Sequence, residues 1–322
     1  MTAVRVLVIK HSAFGDFILS TGSFKAIRAH HPGDRITLLT TAPLKTLAEA
    51  CPHFDEVWVD PRPRMTRPLA WLAQVAKLRR AGFGRVYDLQ RNDRTATYFH
   101  ALGPRPPEWV GVVRGCSHRY VKPAGRAQHI IDREAAQLAL AGVRAEPVPD
   151  LDWLGADTPP PATGDRMVLL VPGSARRRPE KRWPAEHYAR LAAGLAADGL
   201  TPVLVGGADE AEVLATVRAA CPAAIDLGGR TTVAEIAALG RRATAAVGND
   251  TGPMHVIAGA GCPTVSLFGP ASDPALIGPR GPRVTILRRD PMSAIGVEEV
   301  RRALDCVAGP VEELTHLGLS GD

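Results

Sequence analysis

Residues 247–269 read VGNDTGPMHVIAGAGCPTVSLFG. An apolar run closes at Val247-Gly248 and a polar Asn249-Asp250-Thr251 follows. Gly252-Pro253 then opens a short apolar helix, and after Gly261-Cys262-Pro263 a second apolar run begins. Strand, helix, strand in that order is the repeating unit of a parallel sheet, whose strands need a helix-length crossover between them. The polar cluster has two explanations. Asp and Thr favour helix N-caps, and Gly and Pro punctuate loops. Equally, a helix starting near Thr251 points its free N–H groups and positive dipole end at an anion, with Gly252 permitting close approach. The stretch by itself leaves both open.

Upstream the same alternation recurs. Arg166-Met-Val-Leu-Leu-Val-Pro-Gly173 reads as a strand, followed by a helix over about 185–198, a strand at 201–206, helices near 210–219 and 233–239, and strands at 223–228 and 243–248. A tail at 297–307 reads as a closing helix. The first half opens with the strand Val4–Lys10, then a helix over 17–30, strands at 35–40 and 56–60, and a helical stretch at 43–50. The halves echo one another, since Val86-Tyr-Asp-Leu-Gln-Arg-Asn-Asp93 stands to Val4 as Val247-Gly-Asn-Asp250 stands to Val168. We therefore expect an α/β protein of two doubly wound, Rossmann-like domains, 1–156 and 166–322, joined by a Pro-rich linker at 157–165. Ligands are expected beyond the carboxyl ends of the strands, in a cleft between facing domains.

Composition agrees with that plan and narrows the partners. The length of 322 residues suits two domains, and 45% apolar with 5% aromatic residues fits a globular α/β chain. Five scattered cysteines with no CxxC argue for a reducing compartment and against a zinc site. The amino terminus reads as a strand, without the apolar core of a signal peptide, which points to a cytoplasmic protein. The uncharged stretch 251–272 has nearly the length of a membrane span, but Pro253, Pro263 and Pro270 break it. Charge is uneven: residues 1–155 hold 22 Lys or Arg against 14 Asp or Glu, a balance of +8, and the remainder 17 against 19, a balance of −2. A basic first half suits an anionic partner as well as a solvated surface.

Several nucleotide signatures are excluded. There is no GxxxxGK[ST], and His11-Ser-Ala-Phe-Gly-Asp16 rather than GxGxxG follows the first strand. An Asp150-Leu-Asp152 pair next to the linker reads as a loop with two acids. The remaining candidates lie at strand ends. Ser174 and Lys181 can contact phosphate after the first strand of the second domain, and His255, one helical turn in, can donate to a phosphate oxygen. Gly206-Gly207 precedes Asp209, Glu210 and Glu212, where an acid suits a ribose diol but also a helix first turn. In the first domain Lys10 ends a strand and Asp16 either caps the following helix or takes a proton from an attacking hydroxyl. Arg91 and Arg94 offer cationic groups on the same side.

In their order these pieces resemble, over nearly the whole chain, the family 9 glycosyltransferases, which include the heptosyltransferases of lipopolysaccharide-core synthesis. The resemblance rests on Val6–Asp16, Asp88-Leu-Gln90, Pro172-Gly-Ser174 with Lys181-Arg-Trp-Pro184, Gly206-Gly207, Gly248–His255 and Leu267-Phe-Gly-Pro270. It implies a GT-B architecture, with the acceptor on the first domain, a nucleotide sugar on the second and a terminal helix crossing back. It further implies an inverting, metal-independent transfer, with heptose from ADP-heptose as the default donor and an anionic lipid-linked saccharide as acceptor. Peripheral contact with the inner membrane is consistent with such an acceptor, and nucleic acid is not a partner. By the same resemblance Asp16 is the general base, Lys10 sits where a cleft lysine is found and Arg94 matches a basic acceptor-side position; Arg91, in the same loop, is expected to face the acceptor with them. Ser174, Lys181, Glu210, Asp250, Thr251, Gly252, Met254 and His255 hold the donor, with Glu212 an alternative to Glu210. The chain departs from its relatives in the three arginines at 176–178. A nucleotide-sugar 2-epimerase of the same architecture and a non-catalytic nucleotide-sugar-binding protein are the alternatives.

Overall fold

The computed structural model describes residues 3–63, 66–125, 127–174 and 178–309. Arg176 and Arg177 of the expected basic loop lie outside them. The chain divides into two compact units, one ending at Trp153 and one beginning at Leu154. The Pro-rich segment 157–165, expected as a linker, therefore falls in the second unit. Its neighbour Gly155, at φ +69°, explains the attachment: a Cβ there would meet the Ala234 carbonyl oxygen at 2.2 Å, so the chain lies directly on that helix.

The first unit runs β1 (Arg5–Ile9), α1 (Phe14–Leu19), α2 (Thr21–His30), β2 (Arg35–Thr40), α3 (Lys45–Ala50), β3 (Glu56–Val59), α4 (Pro68–Ala81), β4 (Arg85–Asp88), α5 (Asp93–Ala101), β5 (Glu108–Gly111), β6 (His118–Arg119) and α6 (Ile130–Ala139). The second runs β7 (Met167–Val171), α7 (Ala185–Ala197), β8 (Thr201–Leu204), α8 (Ala211–Ala220), β9 (Ile225–Asp226), α9 (Val233–Arg242), β10 (Ala245–Asn249), α10 (Gly252–Gly259), β11 (Thr264–Phe268), α11 (Pro274–Ile277), β12 (Val284–Arg288) and α12 (Val297–Ala308). The sheets are ordered β3-β2-β1-β4-β5-β6 and β12-β11-β10-β7-β8-β9. Counted from the first strand of each unit the order is the same, 3-2-1-4-5-6, and the strand pairs are parallel.

Alternation along β1 shows why these strands read as continuous apolar runs. Val6 and Val8 enter one core with Ile36 and Leu38, whereas Leu7 and Ile9 enter the other with Leu39 and Val86. A strand buried on both faces has no polar face to show. In both units the strand order reverses beside the first strand, between β1 and β4 and between β7 and β10. The carboxyl ends there are the ligand positions of open α/β sheets.

Two local expectations change. The helix expected over 17–30 is two helices meeting at Ser20, whose hydroxyl shares its one hydrogen between the Asp16 carbonyl at 2.7 Å and a Glu134 oxygen at 2.9 Å. That back-bonding competes with a continuous helical ladder. The terminal helix α12, expected to cross back, buries Val300, Leu304 and Val307 in the core of the second unit.

Candidate active site

In the first unit the ends of β1 and β4 are tied to each other before they reach the solvent. The Asp88 carboxylate, fully buried, accepts the amides of Gln90 at 3.1 Å and Arg91 at 2.9 Å. Burial raises its pKa, against the lowering effect of the Arg91 amide and the Thr95 side chain. The turn holds Arg91 at φ +54°, a costly conformation for a side-chain-bearing residue. Gln90 in turn accepts the amides of His11 at 2.7 Å and Ser12 at 3.1 Å, fixing the loop that leads to Asp16.

A cavity of about 230 Å³ opens at this reversal, lined by Lys10, Asp16, Gln90, Arg91, Lys122 and Arg133 among others. Lys10 is 2% exposed and donates to Glu134 at 3.1 Å. Glu134, on α6 and fully buried, also accepts from the Ser20 and Ser23 hydroxyls, each at 2.9 Å, and lies 3.6 Å from Arg91. It is thus the counter-ion that allows two cations to be buried side by side. Arg91 is 9% exposed at its side chain, and its Nη1 is buried without a hydrogen-bond partner; so is Nε of Arg133. Burial, then the charge of Arg91, lowers the pKa of Arg133. Buried donors of this kind cost free energy unless a ligand accepts from them.

Asp16 is half-buried at the third residue of α1, where one carboxylate oxygen accepts the Ala13 amide at 3.2 Å. The capping role and a place on the cavity wall coexist in this residue. Arg94 differs from expectation. It does not line the cavity, because its Nη1 donates to the Pro63 carbonyl at 3.2 Å.

In the second unit Asn249 joins the corresponding ends. Its side chain donates to the carbonyls of Pro172 at 2.7 Å and Gly173 at 3.3 Å, and accepts from the Trp183 amide at 3.1 Å and the Tyr188 hydroxyl at 3.0 Å. One buried amide thereby fixes the β7 exit, the start of α7 and the end of β10. Asp250, 8% exposed, accepts from Lys181 at 2.6 Å and Ser272 at 2.7 Å, so Lys181 reaches the mouth already paired. Ser174 is buried, and its hydroxyl lacks a partner.

At the head of α10 Thr251 is the N-cap in extended backbone, and its side chain makes no capping bond. Gly252 is the first helical residue. Met254, expected among the residues that hold the donor, turns its side chain into the core. Its N–H is committed to the Thr251 carbonyl at 3.1 Å, and its side chain is fully buried. A Cβ on Gly248 would meet its sulfur at 2.5 Å, so Gly248 is there to make room for it. His255 is 5% exposed within the same turn. Glu210 accepts the Gly207 amide and lies over Gly173, whose added Cβ would meet the Glu210 carboxyl carbon at 2.5 Å. Glu212 is exposed on the first turn of α8.

Residues 72–303 match the family model of glycosyltransferase family 9 (heptosyltransferase), a span that takes in the second half of the first unit and most of the second. The chain belongs to glycosyltransferase family 9. It is 35% identical over 130 residues to lipooligosaccharide heptosyltransferase 2 of Haemophilus influenzae, a match covering 39% of this chain and 37% of that protein. With lipopolysaccharide heptosyltransferase 2 of Escherichia coli it shares 28% over 306 residues, 84% of each chain. A solved structure of the E. coli ADP-heptose lipopolysaccharide heptosyltransferase II superposes with a TM-score of 0.75 at 22% identity, covering 97% of this chain and 100% of that one. The fold is GT-B, with two Rossmann-like domains, and the protein is a glycosyltransferase, which removes the non-catalytic alternative and disfavours the epimerase.

Other features of this glycosyltransferase lie outside the two mouths. Asp150 of the acid pair is held by Lys25 at 2.7 Å and His53 at 2.8 Å, a structural use of the carboxylate. Among the described residues no group of three His, Cys, Asp or Glu is arranged to hold a metal ion, and no helix is long and apolar enough to cross a membrane. Sequence reading missed Glu134, Arg133 and Asn249. Only Asn249 lay within a motif; Glu134 and Arg133 sit on an amphipathic helix, where a charged pair reads as a solvated face.

Proposed function

We propose that this glycosyltransferase moves heptose from ADP-heptose onto a hydroxyl of an anionic, lipid-linked saccharide of the lipopolysaccharide core, with inversion and without a metal. The observation that carries the acceptor assignment is the pair of buried, unpartnered guanidinium nitrogens of Arg91 and Arg133 in the cavity that Asp16 also lines. An acidic group of the acceptor satisfies both donors and presents a neighbouring hydroxyl to the carboxylate.

Asp16 takes the proton as the acceptor oxygen bonds to the anomeric carbon, while the bond from that carbon to the diphosphate oxygen breaks and ADP departs. Positioning contributes more here than the basicity of the acid. Charge developing on the diphosphate meets the amides of Thr251 and Gly252 at the positive end of α10, the Lys181 ammonium held by Asp250, the Ser174 hydroxyl and His255. Glu210 takes the ribose hydroxyls from its place over Gly173. The donor and acceptor names of the relatives, ADP-heptose and lipopolysaccharide, support this substrate assignment. Cytoplasmic location follows from the same assignment, since nucleotide sugars are made there.

Incubating the purified protein with ADP-heptose, with and without a lipopolysaccharide-core acceptor, tests the proposal. ADP release that requires the acceptor, with the product anomer opposite to the donor's, is expected. Epimerised nucleotide sugar formed without acceptor, or transfer from UDP- or GDP-sugars in preference to ADP-heptose, overturns it.

A further inference from the structure

The histidine that follows β1 and Lys10 is a buried titratable group that the proposed reaction does not use. His11 is 1% exposed, and neither of its ring nitrogens has an aligned hydrogen-bond partner. Its Nε2 lies 3.1 Å from a carboxylate oxygen of Asp60, just past the end of β3, so the contact is electrostatic rather than directional. A buried ring left in that condition costs free energy, and its presence calls for a reason other than packing.

Four strand ends meet at this residue. As the continuation of β1, His11 donates its amide to Gln90 after β4 at 2.7 Å and accepts the Thr41 hydroxyl after β2 on its carbonyl at 2.7 Å. Its ring reaches over the end of β2 to Asp60. Asp60 is anchored in turn, accepting from the Tyr98 hydroxyl on α5 at 2.7 Å and from the Arg62 amide at 2.8 Å. Beyond His11 the chain runs directly to the proposed base. The Ser12 amide donates to Gln90 at 3.1 Å, and the Ala13 amide donates to the Asp16 carboxylate at 3.2 Å. Packing does little to hold this loop. A cavity of about 580 Å³ lies against it, lined by His11, Ser12, Phe14, Thr41, Leu44 and Asp60 among others, and Ser12 also lines the Asp16 cavity. The loop is therefore a partition with open space on both sides, and polar ties set its position.

We infer that His11 is a positioning residue for Asp16. Drawn to Asp60, its ring ties the partition to the third strand end and resists rotation of the loop about the two main-chain bonds. That fixes the Ala13 amide, and the amide orients the Asp16 carboxylate. An ångström of displacement at a reacting oxygen slows a reaction strongly while leaving the binding of both substrates intact. The inference rests on the assignment of Asp16 as the base, and it adds a residue that touches neither substrate.

Initial rates of acceptor-dependent ADP release test it, with His11→Leu, which keeps much of the ring's bulk, and His11→Gln, which returns an amide donor towards Asp60. Each is made alone and together with Asp16→Asn, and thermal unfolding fixes a temperature at which every variant is folded. His11→Leu is expected to lower kcat about tenfold with both KM values within about twofold of wild type, and His11→Gln to recover most of the loss. Asp60→Asn weakens the same contact from its other side and is expected to lower kcat to a similar extent. In the Asp16→Asn background His11→Leu is expected to have no further effect, because no base remains to be positioned. A histidine that serves only the fold lowers the melting temperature and leaves kcat per folded molecule unchanged, and that result overturns the inference. So does an equal fall in kcat with and without Asp16, or a glutamine variant as slow as the leucine one. Failure of the base assignment reads differently: Asp16→Asn by itself then turns over like wild type, which removes the base and this inference together.

Discussion

The two mouths share a strand order and a place in it, yet they are built for different charges. At the first, Lys10, Arg91, Lys122 and Arg133 surround a cavity whose wall, among the described residues, holds the one carboxylate Asp16, with Glu134 buried behind as a counter-ion. At the second, Lys181 is already neutralised by Asp250, and the remaining attraction for an anion comes from a helix end and a buried hydroxyl. The first can hold a fixed charge through several basic side chains. In the proposed reaction the second meets a group whose charge grows as it leaves, for which preorganised backbone dipoles are suited. A duplicated architecture thus supplies two positions, and the side chains around each decide what it holds.

The sharpest way to break this comparison is Asp16→Asn, which keeps the cap on the Ala13 amide and removes the proposed base. Turnover is expected to fall about 10²–10⁴-fold with donor affinity nearly unchanged, measured as acceptor-dependent ADP release and donor titration. Turnover near wild type removes Asp16 from its role. The next effect is on stability: Asn249→Ala strands the Trp183 amide, the Tyr188 hydroxyl and two carbonyls, and is expected to cost about 3 kcal/mol. Thermal unfolding and donor affinity should suffer together, whereas an unchanged melting temperature contradicts the fastening role of that amide.

Smaller still is the specific effect at the acceptor mouth. Arg133→Met is expected to raise the acceptor KM about tenfold, or about 1.4 kcal/mol, with the donor KM unmoved. Equal losses for both substrates would show that the two mouths are not separate in function. The smallest effect is one of pH. Burial pushes the Asp60 carboxyl up, but the His11 imidazole 3.1 Å away and hydrogen bonds from the Tyr98 hydroxyl and the Arg62 amide together hold it below its ordinary value. A depressed carboxylate stabilises the fold above its unfolded pKa of about 3.9 and loses that contribution as the pH falls through the folded value. Asp60→Asn is therefore expected to be less stable than wild type at neutral pH, with the gap closing below about pH 4. A gap that widens in acid contradicts the sign.

Much of the plan was legible because it is local. The apolar run at Val6–Ile9, the Gly and Pro punctuation around 261–263 and the polar clusters after β4 and β10 each state their element in a few residues. The candidate site was legible in part for the same reason, since residues at strand ends must meet where the strand order reverses. Lys10, Asp16 and Arg91 line one cavity as expected, and Lys181 and Asp250 meet at the other mouth. Arg94 was not legible: as a cation at the start of a helix it looks equivalent to Arg91, and only the folded position of the Pro63 carbonyl gives it a different partner. Met254 was misplaced because a residue in a helix's first turn can point its amide outward or close that turn, and the motif does not say which.

What the sequence by itself determined was the alternation of strands and helices, their parallel pairing and the strand ends at which chemistry can occur, because periodicity and turn propensity act over a few neighbouring residues. What only the tertiary structure decided was which side chains share a buried space. Glu134 and Arg133 come from a helix far along the chain to complete the pocket begun by Lys10, and Asn249 fastens loops that sequence separates widely. Burial and counter-charge are set by neighbours distant in sequence, and those neighbours make one arginine a ligand group and another a structural tie.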